Sequence, residues 1–379
     1  MTAVAPMLEI TDAILEIGGE TLQTCMQCGT CSGVCPWGLV KAFSPRLLIR
    51  QASLGIEGYE GEALWNCVTC RTCMERCPRD VDIIDVIRST RSLMQESGTV
   101  PPPFRAPLGS LRSHGNPWGE ERDKRTAWND EIGVPQYSED TEYLLYACCT
   151  HCYDGRNKKV LKALVGLLQR GGVSMGLIGD EESCCADQAH KCGAYSVYMN
   201  LTAANDALFA DRGVKRIIAT SPHCMAMFNQ HYEGDFDAIH YAQVLDRLIA
   251  EGKLEPKQEV PLKMAYHDPC YLGRHSGIYE EPRRVLQSIP GLEYIELPRS
   301  RESSLCCGGG GGGIWSEVPV QQRFGVLRVK EAQQAGAEVI ATACPFCTIM
   351  LEDAVKALSL EEQVQILDVA ELLHRSIEE

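Results

Sequence analysis

The pattern C-x2-C-x2-C-x3-C-P occurs twice, as Cys25, Cys28, Cys31, Cys35, Pro36 and as Cys67, Cys70, Cys73, Cys77, Pro78. No other feature of the 379 residues constrains folding as strongly. Three thiolates two residues apart wrap one corner of a cubane 4Fe-4S cluster, and the fourth, carried away by three intervening residues, reaches the neighbouring cluster. The spacing predicts one cluster on Cys25, Cys28, Cys31 and Cys77 and a second on Cys67, Cys70, Cys73 and Cys35. Structural zinc sites use two pairs of ligands, so zinc fits a run of three plus one poorly. A pair of such clusters implies electron transfer.

Twenty cysteines in a long chain, set at metal-ligand spacings, point to a reducing compartment and not to a disulfide scaffold. The first twenty residues lack a basic start and contain Glu9, Asp12, Glu16 and Glu20, so no secretory signal is expected. No apolar run approaches the roughly 18 residues that span a bilayer. A cytoplasmic location follows, with any membrane association coming through partners. A formal charge of -15 argues against nucleic acid as a partner.

The predicted fold class is α+β multidomain: an all-helical two-cluster ferredoxin domain, then two duplicated α/β lobes with mostly parallel sheets. Residues 1–98 read as helices around the clusters. An apolar stripe runs through Met7, Ile10, Ile14 and Ile17, Ser44-Pro45 opens a helix that Gly55 closes, and a further helix follows Cys77 through Val81, Ile84, Ile87 and Leu93. Residues 99–140 lose periodicity and gather prolines, which predicts a long loop whose Trp118 and Trp128 pack on the other domains. The lobes are expected at 141–255 and 256–379.

An internal repeat defines those lobes. Cys149 is followed 35 residues later by Cys184-Cys185, and Cys224 lies 39 beyond Cys185. Cys270 is followed 36 later by Cys306-Cys307, and Cys347 lies 40 beyond Cys307. Each copy shows a strand before its first cysteine and a Gly-led strand before its last, from Gly213 to Ala219 and from Gly336 to Ala341. Alternating strands and helices predict a mostly parallel sheet in each copy.

His267-Asp268-Pro269-Cys270, Cys306-Cys307-Gly308-Gly309-Gly310 and Cys344-Pro345-Phe346-Cys347 resemble the CCG domain of heterodisulfide reductases and related iron-sulfur oxidoreductases, as does Gly115-Asn116-Pro117-Trp118-Gly119. A ferredoxin domain with two CCG lobes is similar to the D-type polypeptide of heterodisulfide reductase, or to its C-type and B-type polypeptides fused. The resemblance implies a noncubane 4Fe-4S cluster on Cys270, Cys306, Cys307, Cys344 and Cys347. Glycine permits the backbone after Cys307 to approach the cluster and donate N-H groups to its sulfur. Gly308 to Gly313 lack the G-K-S/T ending of a phosphate loop.

The first lobe departs from the family pattern. It has Ser221-Pro222-His223-Cys224 where the second has Cys344-Pro345-Phe346-Cys347, so one ligand is missing. Cys149, Cys184, Cys185 and Cys224 match, and Cys148, Cys152 and Cys192 are nearby substitutes. A noncubane cluster with a replacement ligand, a four-thiolate cubane or zinc site, and an empty lobe all remain open, with an occupied iron-sulfur site favoured by seven cysteines in one lobe. His267, Asp268, Asp154 and His223 read as residues that order loops near clusters, with proton delivery by His267 and Asp268 as the alternative. Arg283 and Arg301 read as surface residues.

Two functions follow. One is an electron-transfer subunit that serves a flavoprotein resembling the A-type polypeptide of heterodisulfide reductase, or other redox subunits of a larger complex. The other is a catalytic disulfide reductase, against which the incomplete first lobe weighs. A zinc-stapled scaffold is the third and least favoured reading.

Overall fold

The structure, a computed structural model, describes residues 6–377. Up to residue 98 the described residues form helices and 3-10 turns and no strand. Leu8–Glu16, Pro45–Leu54 and Ile83–Glu96 pack around Ile14, Leu22, Ile49 and Ile87, all buried. Ser44 begins the second of these by accepting the Leu47 N-H at 3.2 Å, Pro45 occupies the first turn, and Gly55 ends it at φ 59°. Met7 lies outside the first helix and donates its N-H to the Gly55 carbonyl.

Two four-stranded sheets follow, and every pairing in them is parallel. The first contains β1 (Tyr143–Tyr146), β2 (Met175–Gly176), β3 (Arg216–Ala219) and β4 (Asp237–His240) in the order β2-β1-β3-β4. The second contains β5 (Lys263–Tyr266), β6 (Glu293–Ile295), β7 (Val339–Thr342) and β8 (Gln365–Asp368) in the order β6-β5-β7-β8. The central strands are largely buried, as parallel strands covered by helices are: Tyr143, Leu144, Leu145 and Tyr146 of β1 are all buried, while β3 and β5 open on exposed Arg216 and Lys263. Gly213 and Gly336 sit in turns at φ 65° and 83°, and the strands they precede begin at Arg216 and Val339.

In each sheet the chain leaves the two central strands in opposite directions. A crevice must therefore open at their carboxyl ends, where open α/β sheets bind ligands. Cys148 and Cys149 follow β1, Ser221 to Cys224 follow β3, Cys270 follows β5 and Cys344 to Cys347 follow β7.

The segment 99–140 differs from the expected loop. Pro102–His114 is a helix, and Arg122–Asn129 is a 3-10 helix. Pro102 and Pro103 fall in the first turn, where a missing N-H costs nothing, so these two start the helix, and Pro107 is carried inside it. Phe104, Leu108 and Leu111 form the buried stripe. Trp128 is buried, and Trp118 packs edge-on against Trp315 with ring centres 5.3 Å apart.

The three parts close on one another through buried polar groups. Arg91, fully buried, donates to the carbonyls of Leu64, Cys67, Lys191 and Gly311 at 2.8 to 3.0 Å, joining the helical part to both lobes. Between the lobes, Tyr241 donates to both oxygens of Asp368 at 2.7 Å, and Arg156 pairs with Glu352 and Glu371.

Candidate redox site

Cys25, Cys28, Cys31 and Cys77 line one small cavity, and Cys35, Cys67, Cys70 and Cys73 line another. The fourth cysteine of each motif thus faces the other motif's trio. Gln27 and Thr69, in equivalent places inside the two motifs, take left-handed φ of 60° and 50°, and Gly29 and Arg71 do likewise at 87° and 67°. For three of these four residues that conformation costs about 1–2 kcal/mol each, a strain that turns successive thiols toward a common centre. The first cavity lies at the surface, with Cys28 exposed, whereas Cys70 is buried.

In the second lobe Cys270, Cys306, Cys307, Cys344 and Cys347 are all buried. Cys347 Sγ lies 3.4 Å from Cys307 Sγ, and His267 joins them with ligand atoms within 4.8 Å of one another. The Cys306 and Cys347 thiols, then His267, hold Cys307 well below the usual thiol range, while Cys347 is pushed up by burial and by Cys307 and Cys344. Burial opposes ionisation of Cys344, but Cys347 and the His223 imidazole bring it down to about 6. Sulfurs this crowded divide their protons, and a multiply charged metal is what lets all of them ionise together. The donor set fits an iron-sulfur cluster.

The Gly308 N-H donates to Cys306 Sγ at 3.3 Å. The rest of the glycine run serves another purpose. A Cβ on Gly310 would lie 2.4 Å from the Val68 carbonyl oxygen, one on Gly311 would lie 2.5 Å from that of Cys67, and one on Gly312 would meet Phe104 at 2.2 Å. These glycines let the second lobe press against the backbone that carries the second ferredoxin motif.

The first lobe gathers Cys148, Cys149, Cys184, Cys185 and Cys224, all buried. Cys149 interacts with Cys184, Cys185 with Cys184 and Cys224, and Cys148 with Cys224. Cys152 instead points its thiol at the Ala147 carbonyl at 3.5 Å. Arg125, from the segment between domains, reaches Cys149 Sγ at 3.5 Å while paired with buried Glu182 at 3.0 Å.

Two family models match the chain. The 4Fe-4S dicluster domain matches residues 21–81, and the CCG cysteine-rich domain matches residues 143–229 and 264–352. The chain carries two CCG cysteine-rich domains. It is 38% identical over 310 residues to the EtfAB:quinone oxidoreductase of Syntrophomonas wolfei, covering 77% of this chain and 43% of that one. It is 29% identical over 273 residues to the D polypeptide of the dihydromethanophenazine:CoB--CoM heterodisulfide reductase of Methanosarcina barkeri, covering 69% of this chain and 65% of that one. A hypothetical protein from Helicobacter pylori shares the fold, with TM-score 0.54 and 12% identity over 97% of this chain and 77% of that one. The chain thus spans less than half of the first of these relatives.

As a CCG protein with a ferredoxin domain, the chain has a junction whose residues matter as much as its ligands. Cys70 and Cys306 interact across it, and Cys306, with Arg274 beside it, brings the buried Cys70 thiol down to about 5. Arg274, from the loop after Cys270, donates to the Cys70 carbonyl at 2.6 Å and to the carbonyls of Glu302 and Ser304. Among the described residues it has no carboxylate partner, and its Nη2 is buried without a hydrogen bond. Tyr271 and His275 add bonds of 2.9 and 2.8 Å to the Thr69 hydroxyl and carbonyl.

The polar residues singled out in the sequence divide. Asp268 orders its loop by pairing with Arg283 and accepting the Arg301 N-H at 2.8 Å, and Asp154 caps the helix Gly155–Arg170. Arg283 is buried, not superficial, because Asp268 and Glu296 neutralise it, whereas Arg301 is part-exposed and pairs with Glu280 and Glu296. His267 faces the thiols. His223 does more than order a loop: buried, yet raised well above its usual range by Asp187 at 2.9 Å, it reaches from the first lobe to Cys344 of the second. Sequence reasoning misses Asp187, Arg125, Arg274 and Arg91, since no spacing rule marks them. Arg274, four residues past a ligand cysteine, carried the only local signal.

Proposed function

We propose that this chain is the electron-transfer module of a multi-subunit oxidoreductase. Electrons enter at the exposed cavity of Cys25, Cys28, Cys31 and Cys77, continue through that of Cys35, Cys67, Cys70 and Cys73, and reach the second CCG lobe. The observation that carries this reading is the junction where Cys70, Cys270 and Cys306 pack in one buried cluster and Arg274 donates to the Cys70 carbonyl at 2.6 Å. The bound clusters supply one-electron chemistry, with potentials set by thiolates, nearby charge and burial. Cys25, Cys28, Cys31 and Cys77, Cys35, Cys67, Cys70 and Cys73, and the buried cysteines of the second lobe would hold them, with the last group shielded from water. We also assign an iron-sulfur cluster to the first lobe. Its loop keeps the shape of the second: Ala186, after Cys184-Cys185, takes φ 68° where Gly308 takes 97°.

The space between the lobes favours electron transfer over disulfide cleavage. His223 stacks on Tyr271 with ring centres 3.8 Å apart, Tyr271 stacks on His275 at 4.0 Å, and Phe346 lies 4.6 Å from His223. These packed rings at the lobe boundary support electron transfer over a disulfide substrate held between the lobes.

The partner fits a flavoprotein or another redox subunit in a reducing compartment. All twenty cysteines are free thiols, and no helix among the described residues is long and apolar enough to cross a membrane. Anaerobic assay of the purified chain with reduced methyl viologen and a small aryl disulfide separates the two functions. The electron-transfer reading expects the clusters to be reduced without turnover, and steady disulfide consumption would overturn it.

A further inference from the structure

We propose that Cys148 supplies the fifth thiolate of the first-lobe cluster, in place of the ligand that Ser221 lacks. This rests on the reading that the first lobe holds an iron-sulfur cluster.

The two lobes make an exchange across the same pair of strand ends. Cys148 and Ser221 each lie two residues past the register pair Tyr146↔Ala219 of β1 and β3. Pro269 and Cys344 each lie three residues past the register pair Tyr266↔Ala341 of β5 and β7. Since Cys149 corresponds to Cys270 and Cys224 to Cys347, Cys148 occupies the place of Pro269, and Ser221 that of Cys344. One lobe carries its sulfur on one strand end, and the other lobe carries it on the neighbouring end. A side-chain hydroxyl ties the two ends together in the first lobe, where the Cys148 N-H donates to Thr220 Oγ1 at 2.9 Å.

The side chains complete the exchange. Ser221 caps the helix Pro222–His231 by accepting the His223 N-H at 3.3 Å, whereas Cys344 makes no side-chain cap on the helix Pro345–Ala357. Serine is the better helix start, and loses nothing if the thiol comes from elsewhere. Cys148 interacts with Cys224, continuing the series Cys149, Cys184, Cys185, Cys224 to a fifth sulfur. The lobe's two other spare cysteines point elsewhere. Cys152 faces the Ala147 carbonyl, and Cys192 lies against the second lobe, where a Cβ on Gly312 would be 2.9 Å from its sulfur.

The test is iron analysis and Mössbauer spectroscopy of the full chain reconstituted with 57Fe. Four four-iron clusters give about sixteen irons per chain, with noncubane absorption worth two clusters. Cys148→Ser is expected to halve the noncubane absorption, Cys152→Ser to leave it intact, and Cys148→Ser combined with Ser221→Cys to restore it. A Cys148→Ser spectrum superimposable on the wild type overturns the assignment alone. Wild-type protein with about twelve irons and noncubane absorption worth one cluster defeats the first-lobe cluster, and the assignment with it.

Discussion

Arg274 donates through Nε to the carbonyl oxygen of Cys70 at 2.6 Å, and no carboxylate among the described residues pairs with this buried cation. A buried charge needs a counter-charge. Cys70, Cys270 and Cys306 lie near enough to influence it, so negative charge on those thiolates, and on clusters they would hold, would be its partner. A unit charge roughly 8 Å from an added electron, at an effective dielectric of about 20, is worth about 2 kcal/mol, or ~90 mV for one electron. Arg274→Gln is therefore expected to lower the midpoint potentials of both adjacent centres by tens of millivolts, with Arg274→Lys restoring part of the shift. Potentiometric titration followed by EPR reads this directly, and unchanged potentials would show that Arg274 is only a loop brace.

Arg91 makes a different prediction because all four of its partners are backbone carbonyls drawn from three parts of the chain. Arg91→Met leaves these acceptors buried without donors, at a cost of about 1–3 kcal/mol for each that water cannot reach. Thermal unfolding of the holoprotein should begin several degrees lower, and an unchanged transition would mean that the parts dock without this residue.

Gly310→Ala places a Cβ where the Val68 carbonyl already stands, whereas the same change at Gly109 meets nothing within 4 Å. The first is expected to destabilise the junction and lower iron bound by the second ferredoxin motif. The second is expected to be neutral or stabilising, since alanine favours a helix. Iron content and unfolding temperature of the two variants check the contrast.

Asp368 gives a pH dependence. Burial pushes its carboxyl up to about 7, against the Ala370 N-H and the Tyr241 hydroxyl, which favour the charged form. Because the folded value exceeds the unfolded value of about 3.9, the stability it contributes is complete below that pH and is lost as pH rises through about 7. Asp368→Asn keeps an acceptor for Tyr241 without the titration. The variant should gain on the wild type between about pH 4 and 7, by on the order of 3 kcal/mol, and level off above that, read as the difference in unfolding temperature, and parallel curves would contradict it.

The helices at Ser44, Pro45 and Gly55, the repeat and its strands were legible because caps, turn glycines and buried parallel strands impose local residue choices. The helix Pro102–His114 was not, since prolines in a first turn look like prolines in a loop. The pairing of each fourth cysteine with the opposite trio could be read from spacing alone. That the glycines after Cys307 bear mainly on Val68, Cys67 and Phe104, and that His223 faces Cys344, depend on how the parts dock. Contacts between residues more than a hundred positions apart leave no local pattern.

The central claim is that electrons cross from the ferredoxin domain to the second lobe where Cys70 meets Cys306. Pulse radiolysis with methyl viologen tests it, because the viologen radical reduces the exposed first centre and redistribution inward appears as a slower, concentration-independent phase. The account predicts that this phase is present in the wild-type chain and absent in Cys70→Ala, with second-lobe iron retained in both. A phase that persists in Cys70→Ala at the wild-type rate would contradict it.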